Sequence, residues 1–239
     1  MICEASSKVQ RNTDNGPALD IRPYLAIFTP TMEASADPFP MRTMPAHSRS
    51  AATLEAILAA SLGVLEEFGL PGFNTNAVAK AARVNVATLY HYFPNKNAIL
   101  QTLFERNESG RTAWIVSQLG DLPTTKDLEG WIRQMGAGLH EHRRNERAGV
   151  ELRRACRAVP ELMAAEKART AVHANALADV LRQRFPHQSL ERLQTSARII
   201  VEVNAAVLDA ALESPDRAEA IISELACLMT GYFTGLATP

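Results

Sequence analysis

The chain is 239 residues long, 46% hydrophobic and 21% charged, with a formal net charge of −1 at pH 7. That length provides for one small and one mid-sized globular unit with ordinary cores, so no staple is required to hold them. The near-zero charge excludes bulk attraction to nucleic acid; any DNA contact must rest on a local constellation of residues.

Cys3, Cys156 and Cys227 are far apart and odd in number, and no C-x-x-C pair exists. A disulfide framework and a thiolate zinc site are therefore not expected, and a reducing cytoplasm suits the pattern. No run of about 18 apolar residues is evident, so no membrane span is expected. Tyr24 to Phe28 is too short to be a secretory core.

Residues 1–46 form a block in which Pro17, Pro23, Pro30, Pro38, Pro40 and Pro45 recur with no apolar period between them. Two readings stay open: a disordered extension, or translation that starts at Met41 or Met44. From Ser48 onward the signal is helical, without strand alternation or repeats, and the fold class expected is all-α. A first helix is predicted over 50–68, where Leu54, Ile57, Leu58, Ser61, Leu62, Leu65 and Phe68 recur at threes and fours. Gly69 stops it.

Asn74 can cap a short helix carrying Ala77, Val78, Ala81 and Ala82. Asn85 can cap a second, Val86-Ala87-Thr88-Leu89-Tyr90-His91-Tyr92-Phe93. Two short helices joined by about three residues define a helix-turn-helix, whose second helix enters the major groove. Val86, Ala87 and His91 suit base edges: apolar contact with a thymine methyl for the first two, donation to a purine N7 for the histidine. Thr88, Tyr90, Tyr92 and Lys96 carry donors suited to phosphate, and Asn85 opens the same DNA-facing helix. Lys96 stands at the start of a fourth helix, whose dipole favours anions. Leu89 and Phe93 are expected inside. Each DNA-facing residue has a plainer alternative, such as a packing aromatic for the tyrosines or a solvated charge for Lys96. Arg42, His47 and Arg49 form either a basic arm reaching the minor groove or a solvated arm.

Ile57-Leu58, Ala60, Leu62, Gly69, Val78-Ala79, Ala82, Val84, Thr88-Leu89-Tyr90, Phe93 and Lys96 stand in the spacing of a known domain. Without gaps over 54–100, the segment resembles the DNA-binding domain of the TetR family, most specifically in Thr-Leu-Tyr-His-Tyr-Phe-Pro-Asn-Lys. One departure lies at the turn, where the family usually has glycine and this chain has Arg83. If that position is left-handed, the side chain costs about 1–2 kcal/mol unless it is repaid by reaching a phosphate. Ala87, in place of a frequent glycine or proline, is harmless.

Further helices are predicted over 96–119, with a possible interruption at Gly110, then over 127–144, 146–158, 160–185, 189–213 and 215–236. His140 and His142 are two apart and face opposite sides of a helix. No E-x-x-H, H-E-x-x-H, G-x-S-x-G or phosphate-loop pattern occurs, so no enzyme, metal or cofactor is expected. The stretches 199–208 and 221–233 are apolar nearly all round, which suits burial on several sides, either against a second copy or within one subunit. Trp114, Trp131, Met135, Leu139, Met163, His173 and Asn175 could line a small-molecule pocket, or be plain core.

The resemblance implies three segments: the extension 1–46, a three-helix DNA-binding domain over 47–100, and a larger helical ligand-binding and dimerisation domain over 101–239. It further implies a cytoplasmic homodimer joined through the last two long helices. Such a dimer binds a palindromic operator on double-stranded DNA, commonly as a repressor released by a small-molecule inducer. The rival reading is a helical ligand-binding or adaptor protein of the same fold that has lost DNA binding.

Overall fold

A computed structural model describes residues 41, 42 and 48–238. The expectation for 1–46 falls outside them, Met41 and Arg42 apart, as does His47. Among the described residues nine helices and no strands occur. They are α1 (Ser48–Gly72), α2 (Thr75–Ala81), α3 (Val86–Tyr92), α4 (Lys96–Leu119), α5 (Leu128–Arg144), α6 (Gly149–Ala158), α7 (Pro160–Arg184), α8 (Leu190–Glu213) and α9 (Ala218–Ala237).

Local chemistry sets most of the starts. Asn74, Asn85, Asn95, Asp127 and Ser189 each place a side-chain oxygen on a backbone N–H of the following turn, worth about 1 kcal/mol apiece. Pro160 occupies the first turn of α7, where its missing donor costs nothing. Gly69 breaks α1 with φ +60, and a short turn through Gly72 completes it.

Three boundaries differ from expectation. Helix α4 runs unbroken through Gly110, where a Cβ would meet open space, so that glycine imposes no kink. Helix α6 begins at Gly149 because Ala148 is left-handed, with φ 51, and reverses the chain after Glu146. Helix α9 begins at Ala218, since Ser214 to Arg217 first close a turn.

Two cores divide the molecule. The first gathers Leu54, Ile57, Leu65, Val78, Leu89, Phe93, Ile99 and Phe104 of α1–α4 and, across the expected domain border, Leu152, Ala155 and Cys156 of α6 and Leu162 of α7. The second unites Leu119, Ile132, Leu181, Leu193, Ile200, Met229 and Phe233, from the end of α4 with α5 and α7–α9. Each fully buried leucine, isoleucine or phenylalanine contributes about 1.5–3 kcal/mol.

Helix α9 corrects one reading. With a mean hydropathy of 1.4 it is long and apolar enough to cross a bilayer. Here Leu225, Met229 and Phe233 bury one face against α5 and α8. The opposite face carries Leu228 at 57% and Tyr232 at 37% exposure, beside Ile199 of α8 at 45%. Neither helix is buried all round within one chain.

Candidate nucleic-acid interface and central cavity

Helices α2 and α3 are joined through Ala82, Arg83 and Val84. The Val84 N–H donates to the Ala79 carbonyl at 3.0 Å, which turns the chain sharply. Arg83 is left-handed, with φ 56, so the penalty foreseen for a non-glycine is present. Arg83→Gly should relieve about 1–2 kcal/mol of strain against about 0.5–1 kcal/mol of added chain entropy. A net gain of about 0.5–1 kcal/mol in denaturant melts is expected; a loss would mean that the side chain holds the turn.

The inward face of α3 is Leu89, with Phe93 beyond its end; both are fully buried and anchor the helix to α1 and α4. Asn85, Ala87, Tyr90 and His91 are exposed, while Val86 and Thr88 are half-buried. Val86 packs partly against the first core. Tyr90 bonds hydroxyl to hydroxyl with Thr75 at 3.1 Å, tying α3 to α2.

Tyr92 departs from the expected phosphate donor. It is only 5% exposed, and its hydroxyl donates to the Ser50 carbonyl at 3.1 Å. Its ring meets that of His91 edge-on at 5.3 Å. On a helix, positions 89 and 92 share a face, so the Leu89 side claims the ring. Tyr92 fastens α3 to the start of α1.

Lys96 is exposed at the first residue of α4, with Nζ donating to the Phe73 carbonyl at 3.4 Å. Arg49 is exposed on the first turn of α1. Arg42 lies across the C-terminal end of α3. Its backbone N–H donates to the Tyr92 carbonyl at 2.8 Å and Nη1 to the Tyr90 carbonyl at 3.3 Å. It thereby satisfies carbonyls that a helix end leaves open, a contact no local pattern announces.

The net charge of −1 does not describe this face. No aspartate or glutamate occurs from residue 68 to residue 104, while Lys80, Arg83 and Lys96 do, and all three are exposed. The acids lie elsewhere, and the local field is positive.

The second feature is a cavity of about 140 Å³ between α4, α5, α7, α8 and α9, with Arg153 of α6 also in its wall. Trp131, Met135, Leu139 and His173 line it, as do Ile200, Met229 and Phe233. Other pocket candidates lie elsewhere. Trp114 covers Gly138 so closely that a Cβ there would meet the indole at 2.4 Å, and its ring lies 4.8 Å from that of His142. Met163 and Asn175 are exposed on α7.

Sequence reasoning missed the charged wall, because isolated arginines and glutamates usually belong to solvated faces. Here they are drawn inward. Glu146 bridges Nη1 of Arg111 and Nη1 of Arg153, each at 2.8 Å. Arg111 also pairs with Glu108. Asp209 takes Arg143 at 2.6 Å, Arg153 at 3.0 Å, and Arg157 as well. Arg169 lies over the Phe104 ring at 4.4 Å. Burial pulls the Arg111 guanidinium down to about 10, lowers Arg143 and raises the Glu166 carboxyl. The Cys156 thiol is pushed up to about 12, again chiefly by burial, and stays unreactive.

His173 bonds through Nε2 to the Thr112 hydroxyl at 2.8 Å. Burial first, then Arg111 and Arg169, push it down to about 4. The unfolded chain therefore takes up a proton near pH 6.5 that the folded chain refuses until about pH 4. Acidification through that window costs about 2–3 kcal/mol of stability from this group alone. Glu166, with its raised value, acts in the opposite sense and gives up stability as pH rises. Urea melts from pH 7 to 4.5 should show the acid loss in the parent and a flatter profile in His173→Gln, whose amide can keep the Thr112 bond. Equal slopes would refute the assignment.

Among the described residues no cluster of three or more histidine, cysteine, aspartate or glutamate side chains could hold a metal ion. Residues 57–103 match the model of bacterial regulatory proteins of the tetR family, and residues 127–233 match that of the tetracyclin repressor-like C-terminal domain. No curated protein matches the chain. A TetR-like transcriptional regulator from Rhodococcus sp. RHA1 is similar in structure, with TM-score 0.56, 18% identity, and 82% of this chain and 100% of that one covered. A TetR-family member from Streptomyces coelicolor A3 has TM-score 0.52 and 23% identity, with 74% and 97% covered. SmeT in complex with triclosan has TM-score 0.53 and 19% identity, with 74% and 91% covered. At these identities the likeness is one of fold.

Proposed function

The chain belongs to the TetR family of bacterial regulatory proteins, and from that premise we propose that it is a cytoplasmic, homodimeric, ligand-released repressor of transcription rather than an enzyme. The observation that carries the reading is the outward face of α3. Ala87 and His91 are exposed on a helix clamped from behind by Leu89 and Phe93, inside a segment with no acid between residues 68 and 104. In this reading Asn85, Val86, Ala87 and His91 meet base edges, and Thr88, Tyr90, Lys96 and Arg49 meet phosphates. Tyr92 supports them from behind.

Two copies joined through Ile199, Leu228 and Tyr232 would cover the apolar face that α8 and α9 leave open. Their reading helices must then stand about 34–36 Å apart to enter successive major grooves of a palindrome. The cavity supplies the inducer site, as the triclosan complex of the similar SmeT suggests. Helix α4 supports the coupling: Lys96 begins it on the DNA side, while Phe104, Glu108, Arg111 and Ile115 line the cavity. Helix α6 offers a second link, with Arg153 in the cavity wall and Leu152, Ala155 and Cys156 in the first core. A ligand that favours another spacing of the two heads shifts the population off DNA, and DNA weakens the ligand by the same factor.

The test is selection of duplexes from a random library by the purified protein, then titration of the enriched duplex at several salt concentrations. A palindromic consensus and a steep salt dependence are expected, with Lys96→Ala lowering the salt slope by about 1. No enrichment refutes the DNA-binding reading; a Lys96→Ala slope equal to the parent's removes Lys96 from the phosphate contacts.

A further inference from the structure

The cavity is divided by chemistry. One end is aromatic and aliphatic, from Trp131, Met135, Ile200, Met229 and Phe233. The other carries Arg143, Arg153 and Arg169 among paired acids. Each of these three arginines keeps one buried nitrogen without a hydrogen-bond partner: Nε of Arg143, Nη2 of Arg153 and Nε of Arg169. A guanidinium has only donors to offer, so an unmet group here calls for an acceptor and cannot be met by a donor. An unmet buried donor is costly, and a charge-assisted bond to an oxyanion is the strongest way to satisfy it.

We infer that the cavity takes a small amphipathic monocarboxylate, its oxygens at the Arg143–Arg153–Arg169 wall and its apolar body against Trp131, Met229 and Phe233. The size follows from the volume. About 140 Å³ is close to the cavity of about 150 Å³ that admits benzene, so the body is one ring or a short alkyl chain. Glu166 lies in the same wall, and burial raises its carboxyl pKa. The inference rests on the inducer-site reading and assigns its ligand class.

The experiment is titration calorimetry of the full chain with three probes sharing one ring: benzoate, benzamide and benzylamine. The carboxylate should bind at least about tenfold more tightly than the amide, the value of one charge-assisted bond, and the amine should be the weakest. Arg169→Met should remove that preference while leaving amide binding in place, which separates lost recognition from a failed fold. Glu166→Gln should raise carboxylate affinity, because an acid leaves the wall that the ligand's own carboxylate approaches. A preference for the amine or amide, an unchanged preference in Arg169→Met, or no binding by any probe at millimolar concentration overturns the ligand class. The same probes are then added to the enriched duplex complex. Carboxylate binding that leaves the duplex bound sinks the switch and keeps the ligand class. Release by the neutral probe alone does the reverse.

Discussion

Ala87→Glu should reduce affinity for the enriched duplex by at least about a hundredfold without weakening the fold. Ala87 is exposed, the second residue of α3. A carboxylate in the first turn of a helix is favourable, by about 0.3–1 kcal/mol, so thermal stability should hold or rise slightly. At a DNA surface the same group replaces a small apolar contact with a charge facing bases and phosphates. The loss of contact and the repulsion together amount to about 3 kcal/mol. The two readouts move in opposite directions, so a misfolded variant cannot imitate the result. A gel shift unchanged beside a raised melting temperature would mean that α3 does not read DNA.

The second large effect lies in the buried ion network. Glu146→Ala should destabilise the chain by about 3–5 kcal/mol, because Arg111 and Arg153 each lose a carboxylate while their side chains are almost fully buried. Their side chains are only 9% and 7% exposed. Glu108 and Asp209 still hold one bond to each, which keeps the loss within that range. Adding Arg153→Met should recover part of it, since the uncompensated charge leaves and an apolar chain of similar length fills the space. Urea denaturation of the single and double variants measures both. A single-variant loss below about 1 kcal/mol would show the network to be as weak as a surface pair. Glu146 follows the end of α5 and reaches α4 and α6, so weakening it should also loosen the path between cavity and DNA head.

Much of the molecule was legible along the chain, where local rules apply. The caps Asn74 and Asn85 stand where short polar side chains precede helical periods. Pro123 beyond its end limits α4, but its unbroken passage through Gly110 is decided by the structure. Leu89 and Phe93 were recognisable as core by position. The left-handed turn at Arg83 was foreseeable only through the resemblance, since nothing in arginine itself asks for φ 56. Tyr92 was misplaced because the hydroxyl drew attention and the ring did not: an aromatic three residues after Leu89 shares its buried face. Three of the seven pocket residues were misplaced for a similar reason. Trp114 and Met163 look like lining by type, but what they face depends on which helix packs beside them.

From its own order of residues the chain determines the nine helices of the described residues, five of their caps, the helix-turn-helix and the acid-free stretch around it, because each depends on neighbours within a few positions. Only the tertiary structure decides that α6 joins the first core, that Glu146 and Asp209 gather arginines from α4, α5 and α6, and that three guanidinium groups border one cavity. Those pairings join residues up to 66 positions apart. A charge has no periodic signature that says whether it will meet water or a partner; desolvation is settled by the packing of distant helices.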